Sequence, residues 1–200
     1  NTTADEKSSI ARYSITPTNG QLNLANGPYN ELMGGIERAN LAIRGIRQYG
    51  NPSVNADMAE LLGEALTARA LLYTELLKAY GEVPARFNPI DAETIYLNKS
   101  DKDVIFKQLL ADLEEAFTYM KWPLKSAATA TTDRPSLAFA KGLYARLALM
   151  ASGYSLRPAE GAVGTGDAGT VRLSNDPELQ KEVLYPKALA ALKDVIENSG

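Results

Sequence analysis

Cysteine and histidine are both absent from the 200 residues. Without cysteine there is no disulfide framework, no thiolate nucleophile and no thiolate ligand for a metal. Without histidine the chain lacks the commonest general base and the commonest zinc ligand. Tryptophan occurs once, at position 122, and no apolar run approaches the length of a membrane span. The opening stretch NTTADEKSSIARY has none of the apolar core of a secretion signal. An excess of basic charge is missing too. The net charge is −3 and the 21 Lys and Arg residues are scattered, which excludes the basic stripe of a nucleic-acid binder.

What is present is helical periodicity. The 45% hydrophobic content suffices for one globular core or a small helical array. Residues 1–28, rich in Thr, Asn, Ser, Gly and Pro, read as a surface segment that is neither helix nor clean strand. Residues 29–200 read as a helical array. Leu32, Ile36, Ala39, Ile43 and Ile46 fall at steps of three and four, predicting a helix from Tyr29 to Tyr49. Gly34 and Gly35 inside it imply close packing against a neighbour. A second helix is predicted from Val54 to Tyr80. One of its stripes runs through Met58, Leu61, Ala65, Ala68, Leu72 and Leu76, another through Leu62, Leu66, Tyr73, Leu77 and Tyr80. Two apolar stripes are more than a helix on the rim needs, so this one lies between neighbours, in a layered array or at the centre of a bundle.

Ser100 with Asp103 forms a capping-box pattern opening a third helix to Met120, with Asp112, Glu114 and Glu115 expected on its wet side. A fourth helix is predicted from Pro135 to Gly153, and a fifth from Pro186. Residues 154–183 read as irregular. A shift of 72 residues lays Ala68-Arg69-Ala70 on Ala140-Lys141-Gly142, Leu77 on Leu149 and Gly81 on Gly153, an echo of the kind repeated helical hairpins leave.

Several chemical patterns resolve into structural ones. Gly164 to Gly169 spell G-x-G-x-x-G, but no strand precedes and no helix follows, so this is a loop. Glu60 with Glu64, and Glu114 with Glu115, lie on helix surfaces and lack the facing geometry of a glycosidase pair. Asp101-Lys102-Asp103 starts a helix and lacks the glycine and distal glutamate of a calcium loop. Trp122 beside Pro123 reads as a helix-ending packing residue. Arg69 and Glu64 read as structural pairing partners. No catalytic residue, cofactor or metal ligand is assigned.

The run GEALTARALLYTELLKAYGEVP resembles a helix of the SusD-like (RagB/SusD) family, through Glu64, Ala65, Arg69, Ala70, Tyr73, Leu76, Tyr80, Gly81, Val83 and Pro84. Four other stretches are similar to family helices in the same order. YNELMGGIERANLAI matches through Tyr29, Ile36, Arg38, Ala39, Asn40 and Ile43, and IFKQLLADLEEAF through Leu109, Asp112, Leu113, Glu114 and Ala116. DRPSLAFAKGLYARLALMASG matches through Arg134, Ala138, Ala140, Leu143, Ala145, Arg146, Leu149 and Gly153, and YPKALAALKDVIENSG follows.

The resemblance implies a mainly all-α fold of TPR-like helical hairpins with long irregular loops. It implies a non-enzymatic protein of the outer face of the outer membrane, lipid-anchored through a cysteine that these residues do not contain. Its partner would be a SusC-like TonB-dependent transporter, and its ligand a polysaccharide or oligosaccharide, or a peptide in the RagB branch. Nucleic acid is not among its partners. Family members are considerably longer, so residues 1–200 are expected to be one helical TPR-like domain of a longer protein. Many members carry Trp just before the first helix, where this chain has Pro28-Tyr29. In the family the preceding segment lies near the ligand. Its amide-rich loop chemistry here makes Tyr13, Asn19, Asn23 and Asn26 the candidate ligand-binding residues. The alternative is a stand-alone TPR-like scaffold that holds a peptide or helix in a groove.

Overall fold

The computed structural model describes residues 2–16, 18–22 and 27–198. Six α-helices carry nearly all of the regular structure: α1 (Thr2–Ala11), α2 (Pro28–Gly45), α3 (Ala56–Tyr80), α4 (Lys102–Phe117), α5 (Leu137–Ser152) and α6 (Lys181–Asn198). A π-helical turn, Ile46–Gly50, extends α2, and a 3₁₀ turn, Pro177–Leu179, precedes α6. Strands β1 (Ser155–Arg157) and β2 (Thr170–Arg172) form an antiparallel pair, with Leu156 opposite Val171. The expected mainly α, TPR-like array is what forms. From α2 onward each long helix packs on the next in sequence: α2 on α3, α3 on α4, α4 on α5 and α5 on α6. Among the described residues no helix is long and apolar enough to cross a membrane.

The two stripes of α3 explain its place. Leu62, Leu66, Tyr73, Leu76 and Leu77 are buried, since α2 covers one side and α4 the other. Gly35 of α2 allows that approach: a Cβ there would stand 2.9 Å from Leu72 Cδ1. Gly34 meets nothing, and nothing in the structure explains it. On the other side Gly63 faces the end of α4, where a Cβ would come within 2.5 Å of Met120 Cγ.

Four expectations are corrected. Residues 2–11 form α1 although the segment reads as irregular. Asn19 ties this helix down, donating to Glu6 O at 3.0 Å and to Ser9 Oγ at 2.9 Å, contacts that local propensity cannot foretell. The cap of α4 is Asp101, whose carboxylate accepts from Asp103 N at 2.8 Å. Ser100 instead accepts from Ala85 N at 3.1 Å and holds the preceding loop. α6 starts five residues before Pro186, which lies inside it. Proline removes one hydrogen bond there, and exposed Glu182 leaves the freed carbonyl near water. Finally, Asp112 is not on a wet face. It is buried against Arg69.

That pair spans α3 and α4. Arg69 Nε donates to Asp112 Oδ2 and Nη2 to Oδ1, both at 2.8 Å, with side chains only 3% and 1% exposed. Gln108 donates to the same carboxylate at 2.8 Å. A planar guanidinium satisfies a carboxylate in this two-pronged way, and in a dry setting each charge depends on the other. Arg69 therefore pairs with Asp112, while Glu64 pairs with Arg134 at 2.6 Å.

Asp112→Ala strands the buried guanidinium and is expected to lower unfolding stability by about 3–5 kcal/mol in urea titrations. Arg47→Ala, which breaks the exposed Arg47–Glu115 pair, is expected to cost less than about 1 kcal/mol. Equal costs would show that Arg69 finds other partners.

Candidate functional site

Loops emerge between the helices, and the 81–101 connection is fixed by polar groups reaching out of the core. The 81–101 connection leaves α3 at Gly81, whose φ of 68° turns the chain away. The Tyr73 hydroxyl, buried on α3, accepts from Arg86 N at 2.7 Å and donates to Arg86 O at 2.9 Å. Asn40 of α2 donates to Arg86 O at 3.1 Å and to Asn88 O at 3.3 Å. Arg69 Nη1 links Asn40 to the loop, donating to Asn40 Oδ1 and to Phe87 O, each at 2.9 Å. Its guanidinium also lies 5.3 Å from the Phe87 ring centroid. Tyr73, Asn40 and Arg69 are thus loop clamps, and no nucleophile–base arrangement forms among them.

Of the four candidate residues named from the sequence, two fall among the described residues. Tyr13 is 97% exposed and has φ 56°, a left-handed conformation unusual for a side chain of its size. Asn19 is buried, its amide held by Glu6 O and Ser9 Oγ while its Oδ1 accepts from Gln21 N at 3.0 Å. Asn19 shapes the segment that presents Tyr13. Asn23 and Asn26 lie outside the described residues. The segment reaches the array at Tyr80, whose hydroxyl donates to Leu22 O at 3.3 Å and whose ring meets Tyr29 edge-on at 5.2 Å. Tyr29 is therefore partly packed. The lone Trp122 packs against the core, as its place at the end of α4 predicts.

The glycine-rich 158–169 loop joins β1 to β2. Its Gly164, Gly166 and Gly169 take positive φ, and a Cβ at Gly169 would strike Arg157 O at 2.3 Å. Asp167 closes the loop by accepting from Ala159 N at 2.8 Å and Gly169 N at 3.2 Å, which holds its carboxyl below the usual range. These glycines serve the hairpin's backbone.

Sequence reasoning missed a cleft of about 430 Å³ between α3, the 121–136 connection and the start of α5. Ala68 and Leu71 of α3 form one wall, and Phe139 in the first turn of α5 forms the other. The connection between them is pinned. Leu137 N donates to Lys121 O at 2.8 Å, Thr129 Oγ1 to Trp122 O at 3.0 Å, and Ser126 Oγ to Glu60 Oε1 at 2.6 Å. Glu60 and Glu64, expected as solvated acids, are instead drawn into this support. Glu64 Oε2 accepts from Arg134 Nη2 at 2.6 Å and from Nε at 3.1 Å. The cleft is assembled from parts some 70 residues apart, and no local pattern marks it.

No protein-family model and no curated protein matches this sequence. Solved structures do match it in fold. A SusD superfamily protein from Bacteroides thetaiotaomicron aligns over 96% of this chain and 36% of its own, with TM-score 0.66 and 19% identity. Surface glycan-binding protein A from Bacteroides uniformis aligns over 97% of this chain and 35% of its own, with TM-score 0.68 and 17% identity. A laminarin-binding SusD-like protein aligns over 70% of this chain and 29% of its own, with TM-score 0.59 and 21% identity. The chain thus spans about a third of the length of these structures. At these identities the likeness is one of fold, and the SusD-like resemblance read from the helix motifs holds at that level.

Tyr73 gives the clamp a pH signature. Burial pushes its hydroxyl up to about 12, against the opposing pull of the Arg86 N–H and the nearby Arg69 and Arg86 charges. An unfolded tyrosine titrates near pH 10, at about 2 units lower. Between those values the unfolded chain loses this proton and the folded chain keeps it, so stability present below pH 10 falls as pH rises. Urea midpoints are expected to drop across this alkaline window, and less steeply in Tyr73→Phe. At neutral pH the same variant is expected to lose about 0.5–1.5 kcal/mol, because Arg86 N–H and C=O each lose the shorter of their two hydrogen bonds.

Proposed function

We propose that this chain is the helical, TPR-like domain, residues 1–200, of a longer surface nutrient-binding protein. That protein captures a glycan or oligosaccharide, or a peptide, outside the cell and presents it to a SusC-like TonB-dependent transporter in the outer membrane. It acts by binding and not by catalysis, and it is held at the extracellular face by a lipid anchor outside these residues. The observation that carries the reading is the fold shared with surface glycan-binding protein A over 97% of this chain. The laminarin-binding SusD-like structure adds to it, though over less of the chain. Polar groups that hold loops on a rigid helical frame suit recognition, since binding residues concentrate on positioned loops.

Within this reading the N-terminal segment faces the ligand. Tyr13 offers an exposed ring for stacking on a sugar face, Asn19 fixes the segment, and Asn23 and Asn26 supply amides for hydroxyls.

Two measurements test the proposal. Intact mass and N-terminal chemistry of the native protein from its source membranes are expected to give a chain well above 21.6 kDa that begins with a lipidated cysteine. An unmodified chain of that mass would favour the stand-alone scaffold. Calorimetric titration with laminarin oligosaccharides, malto-oligosaccharides and xylo-oligosaccharides is expected to detect binding to at least one of them. Tyr13→Ala is expected to weaken it about tenfold, the cost of a lost aromatic anchor.

A further inference from the structure

We propose that the cleft between α3, the 121–136 connection and α5 is a second sugar site, one that takes a short neutral glycan. The inference rests on the glycan-binding reading and gives it a location apart from the N-terminal segment.

Its size is the first argument. About 430 Å³ falls in the usual range for small-ligand clefts, roughly 300–1,000 Å³. The second is the placement of Phe139. Its neighbours Leu137, Ala140 and Leu143 on α5 are buried, whereas Phe139 is left 45% exposed with its ring lining the cleft. Ala68, Leu71 and Pro123 line it too. A pyranose has the matching character, since its C–H face covers an aromatic ring while its hydroxyls point outward. Both walls belong to helices packed in the core, so the surface is organised before a ligand arrives.

The rim fixes the ligand's charge. Arg134 is the sole cation among the lining residues, and Glu64 already pairs with two of its three nitrogens. Glu60 acts on Arg134 from nearby, and Asp133 stands on the rim. A carboxylated sugar would meet three acids around one cation that is already paired, and repulsion selects against it. The other rim groups are hydroxyls. Thr131 donates to Asp133 Oδ2 at 3.0 Å, Thr132 makes no hydrogen bond among the described residues, and Ser136 Oγ accepts from Phe139 N at 3.5 Å. Hydroxyls and a carboxylate both accept from sugar hydroxyls, and hydroxyls also donate to them.

The test is an amide-shift titration of the full chain by NMR, with laminarin oligosaccharides, malto-oligosaccharides and xylo-oligosaccharides as neutral probes and oligogalacturonate as the acidic one. A neutral probe is expected to shift the amides of Ala68, Thr132, Asp133 and Phe139, and oligogalacturonate to leave them in place. Phe139→Ala is expected to weaken binding at these amides about tenfold. Ala68→Trp, which fills the cleft from the α3 wall, is expected to abolish it. Melting curves and the unshifted amides of α4 confirm that both variants fold. Binding by the wild type that bypasses these amides and survives both variants overturns the cleft site and leaves the glycan reading standing. Shifts at these amides caused equally by oligogalacturonate overturn the neutral selectivity. Failure of every probe to bind overturns the glycan reading itself, and the cleft site with it.

Discussion

The Arg69 guanidinium is the junction on which the arrangement depends. Two of its nitrogens are taken by the Asp112 carboxylate across the α3–α4 interface, and its remaining nitrogen reaches Asn40 of α2 and the carbonyl of Phe87. One side chain thus fixes the spacing of three helices and the path of a loop. The apolar residues around it would tolerate many sliding arrangements, because dispersion and burial are nearly indifferent to register. A buried charge held by four hydrogen bonds in a fixed plane is not indifferent. Any slip between α2, α3 and α4 leaves a charge or a carbonyl unpaired in a dry setting, at a cost of several kcal/mol, or about 3–5 for a broken pair.

The second hairpin repeats the device in a weaker form. Lys141 of α5 pairs with Asp194 of α6 at 2.8 Å and lies 4.3 Å over the Phe117 ring. In both hairpins a cation of the first helix crosses to an acid of the second, and Lys141 occupies the place that the 72-residue echo assigns opposite Arg69. The difference lies in burial. The Arg69 pair is almost wholly enclosed, while Asp194 is 39% exposed. A lysine is the cheaper choice at the wetter site, since its compact charge keeps its hydration and needs no planar partner.

How far the sequence disclosed this follows from the range of the forces involved. α2 and α3 were legible because helical periodicity is local, and their observed bounds fall within a few residues of those predicted. Gly35 was legible as a contact glycine for the same reason. Asp112 was misread because its neighbours Glu114 and Glu115 are solvated acids. Only a partner 43 positions away makes burial of that carboxylate affordable. α1 was missed because a buried amide from Asn19 stabilises it. The start of α6 was misplaced because proline reads as a first-turn residue, yet here it sits a turn further in. The Thr-rich cleft had no sequence signal at all. Its walls come from α3 and α5, and only packing brings them face to face.

A frame of this kind separates two demands that conflict in a smaller domain. Helices α2 to α4 hold their spacing through the buried Arg69–Asp112 pair and the close contacts of Gly35 and Gly63, and so resist change. The connections are free to vary because each is held at a few backbone points. Tyr73 and Asn40 grip Arg86, Ser100 grips Ala85, and Asp167 grips its own turn. Residues between those points can change without disturbing a helix. If the chain binds glycans as proposed, specificity would be set by which rings and hydroxyls stand exposed on this frame, and Tyr13 and Phe139 show two ways of exposing a ring. One stands on a strained turn far from any wall, where it gains area but keeps its freedom. The other is seated on a packed helix, where it loses half its area to neighbours and is held in order by them. In the two proposed sugar sites the seated ring would give up less entropy on binding, so of the two it would be the better placed to discriminate between ligands of similar size.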